Sequence, residues 1–192
     1  MWRPIRKLTQ LSVLLLLAGC AAKPSFVAPQ ADFNIYQSIA VLPLADQFHR
    51  PGVSIQIADS LYQKLQTSSV ELVDWMSTLE VLEQEAWRPE LQSNTRAVVR
   101  LGERLQTRAV LTGSIDEWRN KLISTNPSLT RTGTASHNYV SIVGITLRLI
   151  DCRCGHIVWS ASKRGSANGR DQHGAAASKT IDQLLDSLVD YL

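Results

Sequence analysis

Apolar residues in this 192-residue chain recur at two spacings, and the changes between them lay out the elements. Ile39, Ala40, Val41 and Leu42 form an apolar run closed by Pro43, the pattern of a short strand buried on both faces. Ala45 to Val53 reads as a loop, with Pro51-Gly52 as its turn signal. The period then becomes helical: Ile55, Ala58, Tyr62 and Leu65 share a face, joined by Leu61, and Ser54 suits the N-cap. Val70 to Val73 gives a second short strand. Strand, helix and strand make a βαβ unit, normally parallel and right-handed.

Ser77-Thr78-Leu79-Glu80 has the form of a capping box and opens a helix with Leu79, Leu82 and Ala86, stopped before Pro89. A further helix spans about Thr95 to Leu105, with Val98, Leu101 and Leu105 on one side. Ala109 to Trp118 turns to period two, with Leu111, Gly113 and Ile115 opposite Thr112, Ser114 and Asp116. Gly113 within a strand signals a bulge or a close backbone approach. The polar stretch Asn120 to Asn138 reads as a long loop or an extended hairpin tip. Tyr139 to Ile150 is the longest strand, and the Gly155 turn joins it to Ile157–Ser162 as an antiparallel hairpin. A helix from about Ala175 carries Ile181, Leu184, Leu185, Leu188 and Leu192. The order β-α-β-α-α-β-β-β-α predicts a single α/β (mixed α+β) domain, an about five-stranded mixed sheet with helices packed on it.

The first residues stand outside this scheme. Arg3, Arg6 and Lys7 precede the apolar run Leu11 to Leu17, and Leu17-Ala18-Gly19-Cys20 follows. A basic start, a short apolar run and small residues before a cut site make a signal peptide. The run is far short of the roughly 20 residues that span a bilayer as a helix. A cysteine just after the cut resembles the lipobox of bacterial lipoproteins. That resemblance implies cleavage between Gly19 and Cys20, a diacylglycerol on the Cys20 thiol and palmitate among the anchoring acyl chains. The chain then divides into a signal peptide at 1–19, a lipid anchor and flexible tether at 20–34, and a periplasmic domain at 35–192. Pro24 and Pro29 keep the tether from forming a helix. Ala21, rather than Asp, after the lipid site favours the outer membrane by the same resemblance.

Removing the signal peptide changes the charge. The whole chain is +3, but Arg3, Arg6 and Lys7 leave without any acid, so the mature chain is neutral. Net charge gives no argument for a nucleic-acid partner. Cys152 and Cys154 are the remaining thiols, either unpaired or joined by a strained bridge. With His156 they alternate along one turn and could offer three ligands to zinc, against the usual four. His49 reads as a solvated loop residue. Asp116 and Glu117 are adjacent in a strand and so are expected on opposite faces, which does not suit a paired acid and base. Trp118 and Trp159 are either core residues or contacts to a membrane or a second subunit. The sequence holds no G-x-S-x-G, no H-E-x-x-H and no phosphate loop. No enzyme activity and no cofactor are expected.

Four blocks occur in order behind the lipobox: Ile39-Ala40-Val41-Leu42-Pro43, Leu111-Thr112-Gly113-Ser114-Ile115, Leu147-Arg148-Leu149-Ile150-Asp151, and Gly155-His156-Ile157-Val158-Trp159-Ser160-Ala161. Together they resemble the CsgG-like superfamily of periplasmic lipoproteins. Gly113 to Arg119 and Ile157 to Ala161 are most similar to its PelC branch, the lipoproteins of Pel exopolysaccharide export. The resemblance implies a homo-oligomeric ring under the outer membrane, a separate β-barrel porin as partner and an exported polysaccharide, with a role in biofilm. In such a ring, Asp116, Arg119 and the stretch 120–138 are candidates to line the pore mouth. Lys121 to His137 is too polar and irregular for a lipid-facing row, so an accessory ring is expected rather than a self-sufficient channel. Two alternatives share the superfamily: a regulatory lipoprotein binding a partner such as a peptidoglycan synthase, and a curli-type secretion component.

Overall fold

Seven strands in one mixed sheet organise the computed structural model, which describes residues 26–29, 31–68, 70–126 and 136–192. The signal segment, Gly19 and Cys20 lie outside the described residues. In chain order the strands are β1 (Phe26–Val27), β2 (Ser38–Val41), β3 (Ala45–Asp46), β4 (Glu71–Leu72), β5 (Ala109–Asn126), β6 (Ser136–Asp151) and β7 (His156–Asn168). The helices are α1 (Val53–Leu65), α2 (Trp75–Gln84), α3 (Thr95–Leu105) and α4 (His173–Val189), with short 3-10 turns at Phe33–Ile35 and Pro89–Ser93. The sheet runs β1-β7-β6-β5-β2-β4, and β3 adds to β5. Pairs β2–β4, β2–β5 and β3–β5 are parallel; β5–β6, β6–β7 and β1–β7 are antiparallel.

The sheet has helices on both faces, as the alternation of its side chains requires. Ile39, Val41, Leu111, Ile115, Val143, Ile145, Leu147 and Leu149 join Leu61 of α1 and Leu184 and Leu188 of α4 in one core. Ala40, Leu42, Val110 and Ile150 face the other way and meet Leu82 of α2 with Val98 and Leu101 of α3. The apolar run of β2 is thus buried on both faces. Gly113 allows the close approach its position suggested: a β-carbon there would lie 1.9 Å from the Thr146 carbonyl oxygen.

The five expected strands are present, together with two of two residues each. One of these, β1, falls in the stretch read as tether: Phe26 pairs with Ser160 and Val27 with Trp159. Two helix starts differ from the sequence reading. Gly52, in the left-handed region at φ 76°, precedes α1, and the Ser54 hydroxyl donates instead to the Leu44 carbonyl at 2.5 Å. Asp74 caps α2 by accepting from the Ser77 amide at 2.8 Å, so the serine of the supposed capping box stands inside the first turn. Both arms of the stretch 120–138 are strand, to Asn126 and from Ser136; residues 127–135 lie outside the described residues.

Candidate functional site

The outer halves of β5, β6 and β7 present a polar face on the side away from α1 and α4. Its arrangement depends on a bulge between Ile115 and Glu117. Ile115 pairs with Ile145 and Trp118 with Val143, and these side chains pack against the α1–α4 core. Glu117 pairs with Gly144. The extra residue, Asp116, inverts the alternation, so Asp116 and Glu117 both stand on the opposite face. This corrects the expectation that neighbours in a strand diverge.

Each carboxylate is tied down. Asp116 accepts from the Ser114 hydroxyl at 2.7 Å and the Thr146 hydroxyl at 2.5 Å. Thr146 also lies 2.6 Å from the Ser162 hydroxyl; with its single proton given to Asp116, it accepts from Ser162. The three hydroxyls follow the strand register, Ser114 opposite Thr146 and Thr146 opposite Ser162. Glu117 meets two guanidinium groups, with Arg119 Nε at 2.6 Å and Arg164 Nε at 2.5 Å. With both arginines exposed, each pair contributes up to about 1 kcal/mol. Asp116, Glu117, Gly144, Ser162, Lys163 and Arg164 line a shallow depression of about 440 Å³. The expected pore-mouth residues Asp116 and Arg119 therefore share one face, and both are exposed. The sequence reading missed Arg164, Thr146 and Ser162; their cross-strand register with Asp116 and Glu117 is the signal that places them.

On the core side, Trp118 is half-buried in a column of planar groups. The Arg50 guanidinium carbon lies 4.4 Å from the ring centres of both Phe48 and Trp118. Trp118 stacks on His173 at 4.8 Å and 11°. Asp46 fixes Arg50 by accepting its backbone N–H at 2.8 Å. His49, beside this column, adopts φ 51°. Trp159 is 0% exposed, so the fold leaves it no surface for a membrane or a second subunit; it is a core residue.

At the other end of β6, the turn to β7 separates the two thiols. Cys152 is buried beside α3 and Cys154 is exposed, and they are not bridged. Burial, then the charges of Asp151 and Cys154, pushes the Cys152 thiol up to about 12. Among the described residues, no three His, Cys, Asp or Glu side chains gather to hold a metal ion. Asp151 is the anchor of this end. It accepts from the Tyr36 hydroxyl at 3.0 Å, from the Arg153 amide at 2.8 Å and from Arg153 Nη2 at 2.6 Å. Burial raises its carboxyl, but the bonds from Arg153 and Tyr36 outweigh it and leave the pKa below the usual range.

No protein-family model matches the chain, and no curated protein matches it. Solved structures do resemble it. A PelC dodecamer from Paraburkholderia phytofirmans superposes with a TM-score of 0.51 at 18% identity, over 86% of this chain and 96% of that one. The lipoprotein GNA1162 from Neisseria meningitidis gives 0.55 at 16% identity, over 80% and 98%. The hypothetical protein CT253 from Chlamydia trachomatis gives 0.52 at 12% identity, over 80% and 96%. These likenesses establish a common fold, one that this chain shares with the PelC dodecamer and the Neisseria lipoprotein.

Proposed function

We propose that the chain is a lipid-anchored periplasmic lipoprotein that serves exopolysaccharide export across the outer membrane, as a ring-forming collar beside a separate β-barrel porin and without catalysis of its own. The observation that carries this reading is the exposed face of β5–β7, where Asp116, Glu117, Arg119 and Arg164 stand together over a ladder of hydroxyls. Such a face suits weak, repeated contact with a hydroxyl-rich polymer, because hydroxyls and mixed charges offer many exchangeable hydrogen bonds. Support also comes from the fold shared with the PelC dodecamer and from the lipobox at Leu17 to Cys20. In a closed ring every copy would bring the same face to the mouth.

Deleting the gene tests the proposal. Secreted polysaccharide and biofilm should be lost while polymer synthesis inside the cell continues. The substitutions Asp116→Asn and Arg119→Gln should lower secretion with the folded domain intact by circular dichroism. A deletion strain with normal secreted polysaccharide and altered peptidoglycan cross-linking would defeat the export reading in favour of a synthase regulator.

A further inference from the structure

We propose that the outer arm of the β5–β6 hairpin rests on the surface of the membrane in which the chain is anchored. Leu122 and Ile123 enter the interface there, and Lys121 meets lipid phosphates. The inference rests on the lipid anchor at Cys20.

The direction of β1 sets the geometry. It runs antiparallel to β7 with Phe26 opposite Ser160 and Val27 opposite Trp159. Going back from Phe26, the chain therefore heads toward Ser166 and Asn168, the end of β7 paired with Ile142 and Val140. It heads away from the Cys152–His156 turn. Cys20 lies six positions before Phe26, a reach of at most about 20 Å. Ser166 lies six positions beyond Ser160 along β7, also about 20 Å at the rise of a strand. β1 thus enters the sheet from the hairpin end, and the length of chain before it is enough for an anchor at Cys20 to reach that end.

That arm has the chemistry of an interfacial contact. Leu122 is 48% exposed and Ile123 61%. A second bulge, between Leu122 and Ser124, places these two apolar residues side by side at the rim of the sheet. With Val140 and Ile142 they line a groove of about 460 Å³ edged by Lys121 and Arg164. Exposed aliphatic side chains beside the Lys121 cation suit the boundary between acyl chains and anionic headgroups. A spanning strand needs a row of about 9–11 residues with alternate apolar positions; the arm offers a contact, not a span.

The test uses the full-length acylated protein in vesicles of phosphatidylethanolamine with a minor share of phosphatidylglycerol, doped with brominated phosphatidylcholine. A bimane label is placed at Ile123→Cys on a Cys154→Ser background. The wild type labelled at Cys154 reports the opposite end of β6. Bromine should quench the label at 123 about threefold or more over that at 154, as expected for an aliphatic contact inside the interface. Lys121→Glu should weaken that quenching in the anionic vesicles. Intact mass on the same preparation reports acylation. A chain without lipid defeats the anchor reading and this proposal with it. An acylated chain quenched at 154 instead, or at neither position, overturns this proposal alone.

Discussion

Gly102 of α3 lies so close to Cys152 that a β-carbon on it would fall 2.2 Å from the Cys152 β-carbon and 2.7 Å from the sulfur. Glycine at this point allows α3 to press against the end of β6. Gly102→Ala must displace the helix or the turn, and overpacking of this kind costs about 1–3 kcal/mol. Gly174, in the first turn of α4, has nothing within 4 Å of its missing β-carbon. Gly174→Ala should be neutral or stabilise by up to about 1 kcal/mol. Urea midpoints of the two variants decide; equal midpoints would mean that α3 yields without cost.

The thiols should differ in reactivity as they differ in exposure. Cys154 is exposed, whereas Cys152 is buried with its pKa pushed up to about 12. Alkylation at pH 8 followed by peptide mass mapping should modify Cys154 rapidly and Cys152 only in denaturant. Cys154→Ser should leave stability unchanged. Cys152→Ser places a hydroxyl among Leu101, Val110 and Ile150 and should cost about 1–3 kcal/mol.

The Tyr36–Asp151 bond should leave a mark at both ends of the pH scale. Burial first, then the hydrogen bond and charge of Asp151, pushes the Tyr36 phenol up to about 12. A raised pKa contributes stability that is complete below about pH 10, the ordinary tyrosine value, and is lost as pH rises through 12. Asp151 works oppositely. Its lowered carboxyl contributes above about pH 4 and loses that contribution as pH falls further. Tyr36→Phe should therefore show a shallower alkaline loss than wild type, and Asp151→Asn a shallower acid loss. Unfolding midpoints across pH give the comparison, and parallel curves for wild type and variants would refute the assignment.

The two tryptophans offer a further contrast. Trp159→Ala empties a fully enclosed site and should cost about 3–5 kcal/mol. Trp118→Ala should cost less, because its ring is half-buried between Arg50 and His173. It should also release Arg50, seen as a loss of order in residues 47–52 between β3 and α1 by hydrogen exchange.

Much of this architecture can be read from apolar spacing. Val98, Leu101 and Leu105 mark α3, and the row from Val143 to Leu149 marks β6, because a buried face imposes its period on the sequence. What escapes are features with no period. Strands β1 and β3, of two residues each, are too short to show one. The hairpin arm beyond Trp118 carries no alternating apolar row and so reads as loop. Asp74 was obscured because Ser77 and Glu80 mimic a cap one turn later. The candidate site was half legible. Asp116 and Arg119 stood out as charges, but only the bulge, a property of pairing between strands, brings Glu117 to their side.

Strand β1 has a mechanical consequence. A pull on the N-terminus meets first a strand held by two register pairs and the Ala28–Val158 hydrogen bond. Beyond it, β2 is clamped between β4 and β5 in the middle of the sheet. Tension should therefore peel residues 26 to 35 from the edge before it reaches Tyr36 of the core. Ten residues paid out at full extension add about 35 Å of slack. The domain thus carries a tear-away lead that should yield before the sheet does and rewind when the load is gone.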